Sequence, residues 1–505
     1  MFKIKIISIP ASIIISLFVT SCGGGGGGGS SSNSTLINAM DYLTPNKTIS
    51  KLHKEYTEAA DGSISLQDFT TFHYTKTGHI IRETTDDAIS SDYTTYQKLS
   101  DTIEIKDYKN NILVKTTSHL ATIDVNDNFF TEVDDDGDST SCNYTEKLAS
   151  FTTAYKIFSD LIKLDCTVTT TTNLSTKFNL YLAKNMGIIH TKTTANGKTY
   201  KSSYIGEPLY SLNTLAKYST SYASSVAVAD NGNTVFIGDE NGLITLDASN
   251  LNNLTKLSSI NSGEFTQSKL SKDENLLYAV DGGNFLIIDI SNRNDIHIIS
   301  SMQMNGADSF SLSDNETIAV IQDFDITQIV DISNKSNIVA LFDLKSGKSA
   351  ISNDGQTLFY ISPDSPKEIV IYDINNPSND FVSTTPMPYD YSELLLSHSG
   401  KELFVSDQQN ITIFNVDNPN NISQLSTYNG GHVESMQSKI SLSADDKTLF
   451  ISSEETLQLL DLSDLTNIHT VAARSYDLGD IGDVASTSDK LFIADGANGL
   501  QILEK

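Results

Sequence analysis

Positive charge is what this chain has least of. Its 505 residues carry 34 Lys and Arg against 63 Asp and Glu, a formal net charge of −29, and no stretch gathers the basic residues into a cluster. Such a chain repels polyphosphate and anionic lipid surfaces, which excludes nucleic acid and electrostatic membrane binding as partners. Catalytic signatures are missing too. The nine histidines stand singly, with no HxH or HExxH spacing to set two imidazoles on one metal. No GxSxG elbow, P-loop or GxGxxG follows a strand. Glycines 23–29 neither follow a strand nor open a helix, so they cannot cradle phosphate. No cofactor is expected from these absences, and the chain reads as a binding protein rather than an enzyme.

What the chain does have is a period. Seven short apolar strands, GLITLD, FLIIDI, ITQIVD, IVIYDI, ITIFNV, LQLLDL and LQILEK, end at Asp247, Asp289, Asp331, Asp373, Asn415, Asp461 and Glu504. The first four intervals are each 42 residues and the last two are 46 and 43, the repeat length of a four-stranded propeller blade. In the first unit SSVAVAD, NTVFIGD, GLITLDAS and LTKLSSI are β-rich runs separated by DNGN, ENG and NLNN, which supply turn chemistry. These are strands A to D. The seventh unit lacks a D strand, and LNTLAKYST (212–220), just before the first unit, matches the D segments in pattern. The expected fold is mainly β: a seven-bladed β-propeller over 207–505, with the N-terminal strand closing the last blade and removing an exposed edge.

FLIIDISN, ITQIVDISN and IADGANGLQIL resemble the LVIVD repeat of bacterial extracytoplasmic propeller proteins, in register across residues 210 to 505. Asn415 and Glu504 stand where that repeat has Asp. ISNDGQTLFYIS and LSADDKTLFISS are also similar to YVTN and Tol-type repeats. Tryptophan is absent, which rules out a WD repeat and counts against a quinoprotein dehydrogenase, whose blades dock through tryptophans.

Lys3 and Lys5 precede the apolar run IISIPASIIISLFV, which closes on Val19-Thr20-Ser21-Cys22. That is a signal peptide (1–21) ending in a lipobox, with Cys22 as the lipidated residue; the run is shorter than the roughly 20 residues of a membrane span. Gly23 gives no inner-membrane retention signal, so the expected location is the outer membrane, lipid-anchored, on its periplasmic or surface side. Residues 22–35 form a Gly/Ser tether. The two remaining cysteines, Cys142 and Cys166, can pair in an oxidising compartment, the alternative being two buried thiols.

Residues 36–206 show no trace of the 42-residue period. Their Thr-, Ile- and Tyr-rich runs read as antiparallel strands, while LASFTTAYKIFSDLIKL (148–164) has helical spacing and LINAMDYL a shorter helical pattern. The expectation is an α+β domain, mostly antiparallel sheet. Between two of its strands Asp134, Asp136 and Asp138 space their carboxylates like a calcium loop, but Asn143 stands where the bidentate glutamate belongs; a solvated turn is the plainer reading, with a weak Ca²⁺ site as the other.

Each blade places an acidic residue in its B–C turn: Asp239, Asp281, Asp323, Asp364, Asp407, Glu454 and Asp495. The D–A connections on the same face add Tyr389, Tyr391, Tyr428, His432, Asp477, Asp480 and Asp483. Such Asp residues are first turn formers; the functional reading is a face that attracts cations or basic partners, with tyrosines as contacts. The function expected is recognition of a protein or glycan by this face. Alternatives are a periplasmic scaffold for envelope assembly, or a propeller enzyme of lactonase or dehydrogenase type.

Overall fold

The computed structural model describes residues 37–505 outside segments 40–41, 43–44, 46–48, 59–63, 78–79, 86–92, 99–101, 110–111, 121, 124–127, 134–138, 153–156, 173–174, 196–197, 207, 211, 362–367, 377–382, 387–390, 408–409, 429–438, 454–455 and 475–478. Two compact units divide the chain, Met1–Pro208 and Leu209–Lys505. Cys22, the calcium-loop residues Asp134, Asp136 and Asp138, and the face residues Asp364, Glu454, Tyr389, His432 and Asp477 lie outside the described residues, as do the side chains of Asp407 and Tyr391.

Leu209–Lys505 is a seven-bladed propeller. Six four-stranded sheets follow in chain order, from Ala223–Ala229, Thr234–Asp239, Gly242–Asp247 and Thr255–Asn261 in blade 1 to Lys439–Leu442, Thr448–Ser453, Thr456–Asp461 and His469–Arg474 in blade 6. Blade 7 takes A, B and C from Ile481–Ser486, Lys490–Asp495 and Leu500–Glu504. Its D strand is Thr214–Tyr218, antiparallel to Leu500–Glu504 with Thr214 opposite Leu503 and Tyr218 opposite Leu500. Arg474, at the end of blade 6, is buried and donates to Leu212 O at 2.5 Å and Thr214 Oγ1 at 2.8 Å. The closing strand is thus bonded to both of the last two blades.

One B-strand position fills the joints. Phe236, Tyr278, Val320, Phe359, Phe404, Phe450 and Phe492 each lie two residues after the B residue paired with the end of strand C, and all are buried. Each belongs to the apolar cluster shared with the following blade, Phe492 reaching blade 1. Burying a phenyl ring in this way contributes on the order of 1.5–3 kcal/mol. Phenylalanine and tyrosine do here what the chain has no tryptophan to do.

The N-terminal unit departs from expectation in one element. Two meanders of antiparallel strands, Ile49–Glu58 to Ile112–Leu120 and Asn128–Val133 to Lys198–Gly206, merge into one twelve-stranded sheet where Lys198–Gly206 pairs with Ile49–Glu58. Where a helix is expected at 148–164, the described residues are strand: Ser139–Thr152 pairs with Ile157–Thr169. LINAMDYL starts as strand as well, Ile37–Asn38 pairing with Thr122–Ile123. The described part of this unit is thus almost wholly antiparallel sheet, as expected, with Tyr42 of LINAMDYL helical. The helical spacing has a physical source. Asp160 takes φ 55° and shifts the phase of its strand, so Phe158 and Leu161, three apart, share one apolar cluster while Ile162 and Leu164 join the cluster on the other face. Apolar residues on both faces with one irregular residue mimic a helix.

Cys142 and Cys166 are opposite one another on these strands and form a disulfide, Cα–Cα 4.0 Å. The bridge closes a loop of 24 residues, worth roughly 3 kcal/mol in the chain-entropy account.

Candidate functional site

The B–C turns and the D–A connections meet on one face of the propeller, and the turn carboxylates are what join them. Asp281 Oδ1 accepts from the N–H groups of Gly283 (3.2 Å) and Asn284 (2.8 Å) within its own turn, and Oδ2 accepts from Ser262 Oγ at 2.6 Å in the connection entering the blade. Asp239 repeats the arrangement with Asn241 N and Ser221 N, Asp323 with Asp325 N, Ile326 N and Asn305 N, and Asp495 with Asn498 Nδ2 and Gly479 N. All four are buried, with exposures of 4–6% for the first three and 0% for Asp495. Their oxygens are committed to holding loops, so the charge facing solvent comes from other residues. Asp281→Ala should strand these donors and cost about 2–3 kcal/mol, read as a lower urea midpoint; an unchanged midpoint would return Asp281 to the pool of ligand-facing groups.

Tyr428 also turns inward. Its hydroxyl meets Thr470 Oγ1 (2.9 Å) and Gln458 Nε2 (2.7 Å) of blade 6, and burial raises its pKa. Asp480 accepts from the Tyr222 hydroxyl. The Asp residues that end the C strands are Asx-turn formers: Asp247, Asp289, Asp331, Asp373 and Asp461 accept from the backbone N–H two residues on, at 2.8–2.9 Å. Asn415 does the same with Asp417 N at 3.2 Å, which explains why an amide replaces the acid there. Glu504 instead accepts from Asn213 Nδ2, beside the closing strand.

The repeat had also hidden a polar ring on the innermost strands. Ser225, Gln267, Ser309, Lys348, Glu393, Lys439 and Asp483 occupy one register, each opposite the fifth residue of the B-strand count that starts at the partner of the C-strand end. Blades 1–3 are neutral there; blades 4–7 alternate in sign. Lys348 Nζ lies 4.0 Å from Glu393 Oε2, and Asp483 Oδ2 accepts from Val226 N across the 7/1 joint, as Gln267 Oε1 does from Phe310 N across the 2/3 joint. Burial raises the carboxyl pKa of Glu393 and of Asp483, opposed by neighbouring lysines. The ring ties blades together as much as it polarises the axis.

Among the described residues, the exposed side chains of the face include Lys345 and Asp480 as well as several in blades 1–3. Glu240, Glu264, Asp308 and Asp325 face solvent, and Phe324 is 79% exposed. Among the described residues no group of three or more His, Cys, Asp or Glu is placed to hold a metal ion. Aligning the B–C turns of the repeats would have singled out Phe324, because the matching residues are Glu240 in blade 1, Gly282 in blade 2 and Gly496 in blade 7.

A protein-family model described as the LVIVD repeat matches residues 221–262, 268–303 and 320–344. The chain carries LVIVD repeats. The three matched LVIVD segments coincide with blade 1, blade 2 and strands B to D of blade 3. No curated protein matches the chain. Among solved structures it is similar to the Kuenenia stuttgartiensis hydrazine synthase, at 14% identity over 57% of this chain and 97% of that one with TM-score 0.45. It is also similar to the Myceliophteria thermophila Cps50 (Swd1) β-propeller domain, at 15% identity over 58% and 99% with TM-score 0.49.

Proposed function

We propose that this is a lipid-anchored extracytoplasmic interaction protein whose propeller face recognises a partner protein or glycan. The observation that carries the reading is the division of labour on that face: among the described residues the repeated carboxylates Asp239, Asp281, Asp323 and Asp495 are buried and hold the loops, and a separate set of exposed side chains is left projecting from a rigid scaffold. Loops fixed in this way lose little freedom on binding, which favours recognition. Cys22 supplies the anchor and residues 23–35 the reach, on the order of 20 Å by random-coil scaling.

Protease shaving of intact cells, with a periplasmic protein as lysis control, tests the placement. Loss of the propeller puts the face outside the cell and points to an external ligand. Protection points to a partner within the envelope, in the manner of an assembly scaffold. A Cys22→Ser variant should partition with soluble rather than membrane material; retention in the membrane would refute the anchor.

A further inference from the structure

Resting on the reading of this face as the recognition surface, we infer that the turn carrying Phe324 in blade 3 is a sugar subsite: the ring stacks on the C–H face of a neutral pyranose with equatorial hydroxyls, and the polar groups beside it bond those hydroxyls. The ring is held in place and left in water. Asp323 Oδ1 fixes the turn by accepting from Asp325 N at 2.8 Å and Ile326 N at 2.7 Å. Asp323 O accepts from Ser346 Oγ at 2.7 Å and Asp325 O from Ser346 N at 3.2 Å, so the connection leaving the blade is tied to the same turn. Gly306, in the connection entering the blade, has φ +87°, and a Cβ there would come within 2.4 Å of a ring carbon. Phe324 is nevertheless 79% exposed.

The repeats show that folding does not ask for an aromatic at this place. The same turn is built with Glu240, Gly282 and Gly496 in blades 1, 2 and 7. A large apolar group fixed in solvent, where folding gains nothing from it, has the properties of a binding anchor.

What surrounds the ring decides the class of ligand. Among the described residues, Phe324 is the one strongly exposed large apolar side chain on this face; the others stand on outer D strands, at Leu209 and in the N-terminal unit. A protein partner anchors in a contiguous apolar core, and a single ring among polar groups does not supply one. Asn305 and Asp325 are both exposed and are joined by Asn305 Nδ2 donating to Asp325 Oδ2 at 2.5 Å. The connection bonded to the turn carries exposed Lys345. This rim offers donors and acceptors and one charge of each sign, which selects an uncharged ligand rich in hydroxyl groups. A pyranose with equatorial hydroxyls meets both demands: its axial C–H bonds form an apolar face for the negative face of the ring, and its hydroxyls reach the rim edgewise.

The probes are cellohexaose and chitohexaose, read on the full chain by saturation-transfer difference NMR and isothermal titration. At least one should bind, with the strongest transfer on pyranose ring protons and an affinity unmoved by salt, because the ligand is neutral. Phe324→Trp should keep the binding. Phe324→Leu, which retains apolar bulk without a π face, should weaken it by roughly tenfold, and Phe324→Gly, the residue of blades 2 and 7, should abolish it with the melting curve unchanged. Binding of neither sugar, or Phe324→Leu binding as well as the native chain, overturns the inference. Photo-crosslinking on cells separates this outcome from the reading beneath it: with no sugar bound, a protein captured on the face leaves the recognition reading standing, and an empty face removes both.

Discussion

A chain lacking residues 209–220 should lose the cooperative unfolding transition of its propeller. The deletion strips blade 7 of Thr214–Tyr218, exposing the edge of Leu500–Glu504 to water and to other chains, and it takes two acceptors from the buried Arg474 guanidinium. It also removes Leu212 from the apolar cluster of blades 6 and 7. Arg474→Met is the milder form of the experiment: two hydrogen bonds from a charged donor are worth about 3 kcal/mol together, so its transition should stay cooperative at a lower temperature. Calorimetry of the full chain reads both. A propeller endotherm unmoved by the deletion would mean that the ring is closed by something other than this strand.

In the N-terminal unit the larger effect is expected from a pair of charges inside the sheet. Lys51, 1% exposed, donates to Met186 O (2.9 Å) and Ile188 O (3.1 Å) and lies 4.6 Å from the centre of the Tyr74 ring. Glu83, 4% exposed, is hydrogen-bonded by Tyr74 and, at 3.4 Å, by Tyr96. Removing one member leaves the other charge buried alone, so Lys51→Met or Glu83→Leu should each cost about 3–5 kcal/mol, and the double variant much less than their sum. Full additivity in urea denaturation would show that the two do not act as a pair. The pH dependence has a defined sign. Burial raises the Glu83 carboxyl above its ordinary value, so the folded chain binds more protons there than the unfolded one, and stability falls as pH rises through that window. Burial lowers the Lys51 ammonium; the unfolded chain then binds more protons, and stability rises with pH from the lowered value up to the ordinary lysine range.

The propeller was legible because a repeat multiplies a weak signal. One GLITLD is a short apolar run, but seven in near-constant register define a blade, and the D-like pattern of LNTLAKYST told where the missing strand lay. Local pattern misled where no repeat could correct it. Across 148–164 the phase shift at Asp160 put apolar residues at helical spacing, and only pairing with distant strands could reveal them as sheet. The face was read in outline: turn chemistry pointed to Asp239, Asp281, Asp323 and Asp495, while the loops they hold show that their charge is spent inward. Phe324 was visible only as a departure from the repeat, and Lys51, Glu83 and Arg474 gave no sign, since a polar residue's burial depends on what the rest of the chain folds over it.

The joints between blades carry one exception that gives the ring a direction. Six blades press an aromatic ring from strand B into the next blade; blade 3 offers only Val320, and the space is taken from the other side by Tyr360 of blade 4, itself 3% exposed and in the same cluster. Blade 4 set behind any other blade would crowd two rings into one joint, and blade 3 set before any other would leave a hollow. Units similar enough to be exchanged during folding are thereby told apart by a single swapped key, and the order of blades in space is kept to their order along the chain.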